Sequence, residues 1–258
     1  MNTQNLDYLK EGLKYMGFGS HLNPELEKNI QAQAPEFQLK AHMPYHKSAV
    51  DYTLRFRKSG QSDMYFFNKY EALYRNMYPG EDKTQTFYIH KNTGITAKEA
   101  YNLLEGRAVF KDLVNAEGQP YRAWLQLDKA ERDDAGNMKV KQFHENYGYN
   151  LEKTLRQFHI KELEDPQQFL QLLYSLRKGN QQLVTALEEG YEVKRYIEAS
   201  PQFKTINVYN EQRHQAMRET IQRQETNLEM PLRKERAKEQ SLEKQPGNRL
   251  ARRQGPSL

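Results

Sequence analysis

Two successive runs of this chain alternate between apolar and polar residues, and that period of two constrains the fold more than any other feature. Phe37, Leu39, Ala41 and Met43 alternate with Glu36, Gln38, Lys40 and His42. Val50, Tyr52, Leu54 and Phe56 alternate with Asp51, Thr53, Arg55 and Arg57. Successive strand side chains point to opposite faces, so each run reads as a half-buried strand with one face in water. Lys58-Ser59-Gly60-Gln61-Ser62 has the composition of a hairpin turn and returns the chain into Met64–Phe67. Asn68–Glu71 has two readings, a capping box and a continuation of that strand, of which the strand is favoured, and Thr86–His90 reads as a further one.

Helical spacing precedes this sheet. Leu6, Leu9, Leu13 and Met16 fall on one helix face, and Gly17 stands where a left-handed cap is wanted. Asn23-Pro24 is expected to open a second helix, with Asn as N-cap and Pro at the first helical position.

Beyond residue 93 two runs share one order of elements. Thr96-Ala97-Lys98-Glu99 is a capping box, and Ala100, Leu103 and Leu104 follow it on one face. Gly106, a strand over Val109–Val114, Gly118 and a second strand over Tyr121–Leu127 come next, and a turn at Asp133–Asn137 feeds Met138–Phe143. Asn150 caps a helix carrying Leu151, Leu155 and Phe158. Asp165-Pro166 then opens a helix with Phe169, Leu172, Leu173 and Leu176, followed by Gly179, a strand, Gly190 and Glu192–Ala199. The shared order has two readings, a duplicated helix-hairpin module and chance recurrence of a common motif. The expected class is α+β: N-terminal helices with an antiparallel sheet over 1–92, helix-hairpin units over 93–210, then a weak helix and a disordered basic tail over 211–258.

Charge supports that last boundary. After Met230 there is no apolar periodicity, and polar, charged, Pro and Gly residues dominate. Arg233, Lys234, Arg236, Lys238, Lys244, Arg249, Arg252 and Arg253 face only Glu235, Glu239 and Glu243, so the whole net charge of +5 lies there and residues 1–230 are neutral. The mean hydropathy of -1.02 is very polar, yet 17 Tyr and 11 Phe leave enough large side chains for an aromatic core.

Several function classes are excluded or disfavoured on residues alone. With no cysteine there is no disulfide, thiolate metal site or cysteine nucleophile. The phosphate-cradling loop, the serine elbow and the dinucleotide fingerprint are all missing. His42 and His46 have the spacing of a helical metal pair, but Pro44 between them forbids the helix, and a surface strand end is the expectation. Asp133-Asp134-Ala135-Gly136-Asn137 lacks the oxygen pattern of a calcium loop and reads as a turn. His144 and Glu145, near Tyr147 and Tyr149, read as a strand-to-helix junction rather than an acid/base pair. No cofactor, metal or catalytic residue is expected. Tyr65, Phe66, Phe67, Phe87 and Tyr88 on adjacent strands, together with Trp124, have the makings of a stacking platform for bases, set against the commoner role of core aromatics. The opening residues carry no basic segment followed by an apolar run, and no run approaches the ~20 apolar residues of a membrane span, so a cytoplasmic protein is expected.

Thr96–Val109, Gln119–Asp128, His144–Glu152 and Pro201–Tyr209, with Asn5–Lys10, Met16–Gly19 and Met64–Glu71, resemble a family carried on Bacteroidetes conjugative and other mobile elements. The resemblance covers roughly residues 1–210. It implies a place beside proteins that handle DNA and carries no catalytic residues over. The expected function is that of a non-enzymatic accessory protein acting on nucleic acid or on a DNA-processing partner. Arg233, Lys234, Arg236, Lys238, Arg249, Arg252 and Arg253 are the expected phosphate contacts. The alternative is a protein–protein adaptor whose tail is only solvated.

Overall fold

The computed structural model describes residues 2–45, 48–76, 82–89 and 94–212. It opens with α1 (Thr3–Tyr15) and α2 (Asn23–Gln31). A four-stranded antiparallel sheet in chain order follows: β1 (Glu36–Tyr45), β2 (Ser48–Lys58), β3 (Tyr65–Asn76) and β4 (Lys83–Tyr88). Next come α3 (Ala97–Leu104) and a three-stranded meander of β5 (Val109–Val114), β6 (Pro120–Arg132) and β7 (Met138–His144). A short α4 (Leu151–Leu155) and α5 (Pro166–Arg177) lead to a second meander, β8 (Gln182–Glu188), β9 (Tyr191–Ser200) and β10 (Thr205–Tyr209).

This architecture overturns the α+β assignment and the helix-hairpin units. Ten antiparallel strands in three sheets hold 44% of the described residues against 28% in helix, so the fold is mainly antiparallel β. A two-stranded hairpin has too little apolar face to stand alone. Here β7 and β10 each add a third strand, and the sheets rather than helix-hairpin pairs are the packing units. The two expected copies also bury their helices in different places. Ala100, Leu103 and Leu104 of α3 join one core, whereas Phe169, Leu172 and Leu176 of α5 join another. The tail expected to be disordered lies, from residue 213 onward, outside the described residues.

The middle sheet serves both cores. Ala123, Leu125 and Leu127 of β6 face the first, with α1, α2, α3 and the inner face of the four-stranded sheet. Trp124 points the other way, in register with Phe110 and Phe143, and joins the second core with α4, α5 and β8–β10. Covering both faces replaces simple alternation with a run of buried residues at Ala123-Trp124-Leu125. Fully burying a Leu or Phe contributes about 1.5–3 kcal/mol, and Leu13, Leu26, Leu54, Leu155 and Leu176 are all at 0% exposure.

In so polar a chain the junctions are stitched by carboxamides. Gln85 at the edge of β4 donates to the carbonyl of Met138 at 3.2 Å and accepts from its amide at 2.9 Å, and Asn137 accepts from the Thr86 amide at 2.8 Å. Asn102 on α3 donates to the carbonyl of Lys178 at 2.7 Å, tying α3 to the end of α5. Each satisfies buried main-chain groups that would otherwise be costly.

Helix ends follow local chemistry. The Thr96–Glu99 capping box forms in full, and such a cap contributes about 1 kcal/mol. Gly17 takes the left-handed conformation at φ +85. At α2 the start differs from expectation: Leu22 occupies the N-cap without a side-chain bond, and Asn23 is already helical. No helix among the described residues is long and apolar enough to cross a membrane.

Candidate nucleic-acid interface

The outer face of the four-stranded sheet is built by the same alternation that fills the core. With Leu39, Val50, Tyr52, Leu54 and Phe56 turned inward, the polar partners Gln38, Lys40, Asp51, Thr53, Arg55 and Arg57 are left outside. In β3 a one-residue bulge resets the pattern. Phe56 opposes Phe67 and Arg55 opposes Lys69, so Asn68 is the extra residue. Phe67 therefore packs against the core, Tyr70 is fully buried, and Lys69 between them turns outward.

The result is a cross-strand row, Gln38–Arg55–Lys69–Tyr88, set by register. Lys69 Nζ lies 5.7 Å from the ring centroid of Tyr88, which is 53% exposed. Like charges directly opposite on a sheet are destabilising. Among the described residues neither Arg55 nor Lys69 has a carboxylate at ion-pair distance, and Lys40, one row away opposite Thr53, has none either. Arg55, Lys69 and Lys40 thus stand together on this face, with Glu71, opposite Thr53 and two residues beyond Lys69, as the carboxylate nearest to them in register.

The far end of the same face is arranged differently. Asp51 accepts from Arg75 Nε at 2.7 Å and contacts His42 Nδ1 at 2.7 Å, while Arg75 also reaches Asp82 at 3.5 Å. The hydrogen bond from Arg75, and after it the one from His42, holds the Asp51 carboxyl below the usual range. Arg57 is matched by Glu36 at 3.2 Å. The face is thus self-neutralised around Asp51 and cationic around Arg55.

Beside the cationic end lies a groove of about 980 Å³ between α1 and the start of β3, where β4 does not reach. Gly12 and Tyr15 on α1 form one wall, and Met64, Phe66 and Asn68 form the other. Tyr15 is 77% exposed and Phe66 43%. Phe66 stands opposite Arg57, which Glu36 matches, and Asn68 on the groove wall directly precedes Lys69, so groove and cationic row adjoin along β3.

The structure divides the aromatic platform read from the sequence. Tyr65, Phe87 and Trp124 are buried and Phe67 packs against the core, leaving Phe66 and Tyr88 for solvent. His42 is engaged with Asp51, and His46 lies outside the described residues. The described residues hold no group of three or more metal-binding side chains. Asp133 organises a turn by accepting from the amides of Ala135 and Asn137. Glu145 pairs with Arg122, while Tyr147 and Tyr149 donate to the carbonyls of Gln202 and Thr205. Those last residues are joined to the fold rather than to one another. The tail cations Arg233, Lys234, Arg236, Lys238, Arg249, Arg252 and Arg253 lie outside the described residues.

Sequence reasoning missed the Arg55–Lys69 pair and the α1 groove. The polar positions of the alternating strands were the available signal for Arg55, but facing Lys69 to it takes a bulge that no residue spacing announces. Comparison with protein-family models, with curated proteins and with solved structures finds no match to the chain.

Proposed function

We propose that the chain is a non-enzymatic accessory protein of a mobile genetic element that binds nucleic acid through the outer face of its four-stranded sheet. The observation that carries this is Arg55 directly opposite Lys69, neither at ion-pair distance from a carboxylate among the described residues, beside an exposed Tyr88. Facing cations on a rigid sheet are matched by consecutive phosphates, and an adjacent aromatic ring adds a stacking surface. The tail, with Arg233, Lys234, Arg236, Lys238, Arg249, Arg252 and Arg253, supplies further positive charge to the same polyanion. The resemblance to proteins of conjugative elements supports a role beside a DNA-processing protein.

The test is fluorescence anisotropy of labelled oligonucleotides with the full chain and with an Arg55→Gln, Lys69→Gln double variant. The wild type binds, salt weakens the complex, and the variant binds more weakly. No binding by the wild type at low salt would instead favour the protein–protein adaptor.

A further inference from the structure

We infer that the groove between α1 and β3 receives the unpaired bases of a single strand whose phosphates lie along Arg55 and Lys69. This rests on the nucleic-acid reading above and narrows it to single-stranded substrate.

Gly12 is the first reason. It sits within α1, where glycine is unfavourable to the helix and no positive φ requires it. A Cβ built there meets nothing within 4 Å, so no neighbour requires it either. What its bareness creates is a low point on the groove wall, one helical turn before the exposed ring of Tyr15. A flat ring can lie there against α1, where a side chain would hold it off.

The distribution of charge is the second reason. Among the described residues Glu11 is the one charged side chain lining the groove, and it repels a phosphate. Arg55 and Lys69, which have no carboxylate at ion-pair distance among the described residues, stand outside it on the outer face of the sheet, Lys69 directly after Asn68 of the groove wall and Glu71 one row further on. A ligand matching both has an anionic backbone and neutral aromatic substituents reaching sideways from it, which describes a single strand. The carboxamides of Gln4 and Asn68 on the groove wall offer the donor and acceptor pairs that base edges use. Duplex fits poorly, because its bases are stacked and paired inside the backbone. Single-strand binders combine a cationic track with aromatic stacking in this manner.

The experiment compares three fluorescent ligands of equal length, about twelve nucleotides, with the full chain. They are a mixed-sequence single strand, an abasic single strand and a duplex. The proteins are wild type, Tyr15→Ala, Gly12→Leu, and the Arg55→Gln, Lys69→Gln double variant, each checked by circular dichroism. The wild type is expected to prefer the native strand over the abasic one by about tenfold, the scale of one or two stacked bases. Tyr15→Ala and Gly12→Leu should remove that preference and leave abasic binding in place. The double variant should weaken native and abasic strands alike. Equal affinity of the wild type for native and abasic strands overturns the groove as a base site while leaving the nucleic-acid reading standing. So does a preference that survives in both groove variants. Failure of every ligand to bind overturns both.

Discussion

Asn5, in the first turn of α1, engages both main-chain groups of one strand residue. Its Nδ2 donates to the carbonyl of Tyr65 at 3.0 Å, and its Oδ1 accepts from the Tyr65 amide at 2.7 Å. β4 does not extend far enough to pair with this part of β3, so the side chain stands in for a neighbouring strand. Asn5 is 6% exposed and Tyr65 2%, which removes water as a substitute. Asn5→Ala leaves a buried donor and acceptor unmatched and should cost about 2–4 kcal/mol. Urea denaturation at equilibrium checks it. A midpoint within error of wild type would mean that water replaces the carboxamide.

Gly12→Ala is expected to act in the opposite direction. The methyl enters open space, and the helix gains about 0.5–1 kcal/mol from the better helix former. For a domain of this size that raises the melting temperature by roughly 1–4 °C. A lower melting temperature in a calorimetric scan would show that the groove wall is already in contact with something there.

Gly179 follows α5 at φ +77, and a Cβ there would stand 2.8 Å from the Ala108 carbonyl oxygen and 2.9 Å from Val109 Cγ2. Gly118 has a similar φ of +81 in a turn with nothing within 4 Å. Both alanine variants bear the left-handed penalty of about 1–2 kcal/mol. Only Gly179→Ala adds a collision with main chain where the end of α5 meets the start of β5, so it should be the less stable by about 1–3 kcal/mol. Parallel denaturation curves decide the order, and equal losses would place the junction elsewhere.

Individual elements were legible where one local rule governs them. The period of two in β1 and β2, the Thr96–Glu99 box and the positive φ of Gly17 depend on neighbours a few residues away. Sheet membership was not legible in the same way. The role of Met138–His144 and Thr205–Tyr209 as third strands depends on pairing with β6 and β9, and the sequence order of glycines suggested hairpins instead. Trp124 shows the same limit, since a strand buried on both faces has no amphipathic signature. At the candidate site, charge summed over residues 1–230 came to zero and concealed a face whose cations and ion pairs are gathered at opposite ends.

Tyrosines supply the alkaline limit of the fold. Tyr52 donates to the Ala97 carbonyl at 2.7 Å and Tyr70 to that of Ile95 at 2.5 Å, anchoring the start of α3. Burial pushes both hydroxyls above the ordinary 10.0, and burial with the Glu105 carboxylate pushes Tyr74 up to about 12. A phenol whose folded pKa is raised contributes stability fully below its unfolded value. That contribution is lost as pH climbs from 10 through the folded value. Melting temperatures should therefore fall steeply above pH 10, with the 295 nm phenolate signal of these residues appearing only as the protein unfolds. Tyr70→Phe should cost stability at neutral pH, because the Ile95 carbonyl loses its donor, and should soften the alkaline fall. An unchanged alkaline profile would assign that limit to other groups.

The sheet row and the tail are separable by salt. Each phosphate contact on a single strand changes the slope of log affinity against log salt by about −0.7, and on duplex by about −0.9. Replacing Arg55 and Lys69 by Gln in the full chain should make the single-strand slope less negative by about 1.4. Replacing the tail cations Arg233, Lys234, Arg236, Lys238, Arg249, Arg252 and Arg253 by Gln should change it by more, because more charges are removed, and should do so for duplex and single strand alike. Phosphate contacts from a tail position the protein and carry little information about the strand they meet. Preference for single strand over duplex should consequently survive neutralisation of the tail, and should disappear in the groove variants Tyr15→Ala and Gly12→Leu, which leave the phosphate contacts in place. Anisotropy titrations over a salt series, run on both ligands with each variant, read these effects independently. If the preference follows the tail substitutions instead, Arg55 and Lys69 are solvated surface charges and the interface lies beyond residue 212.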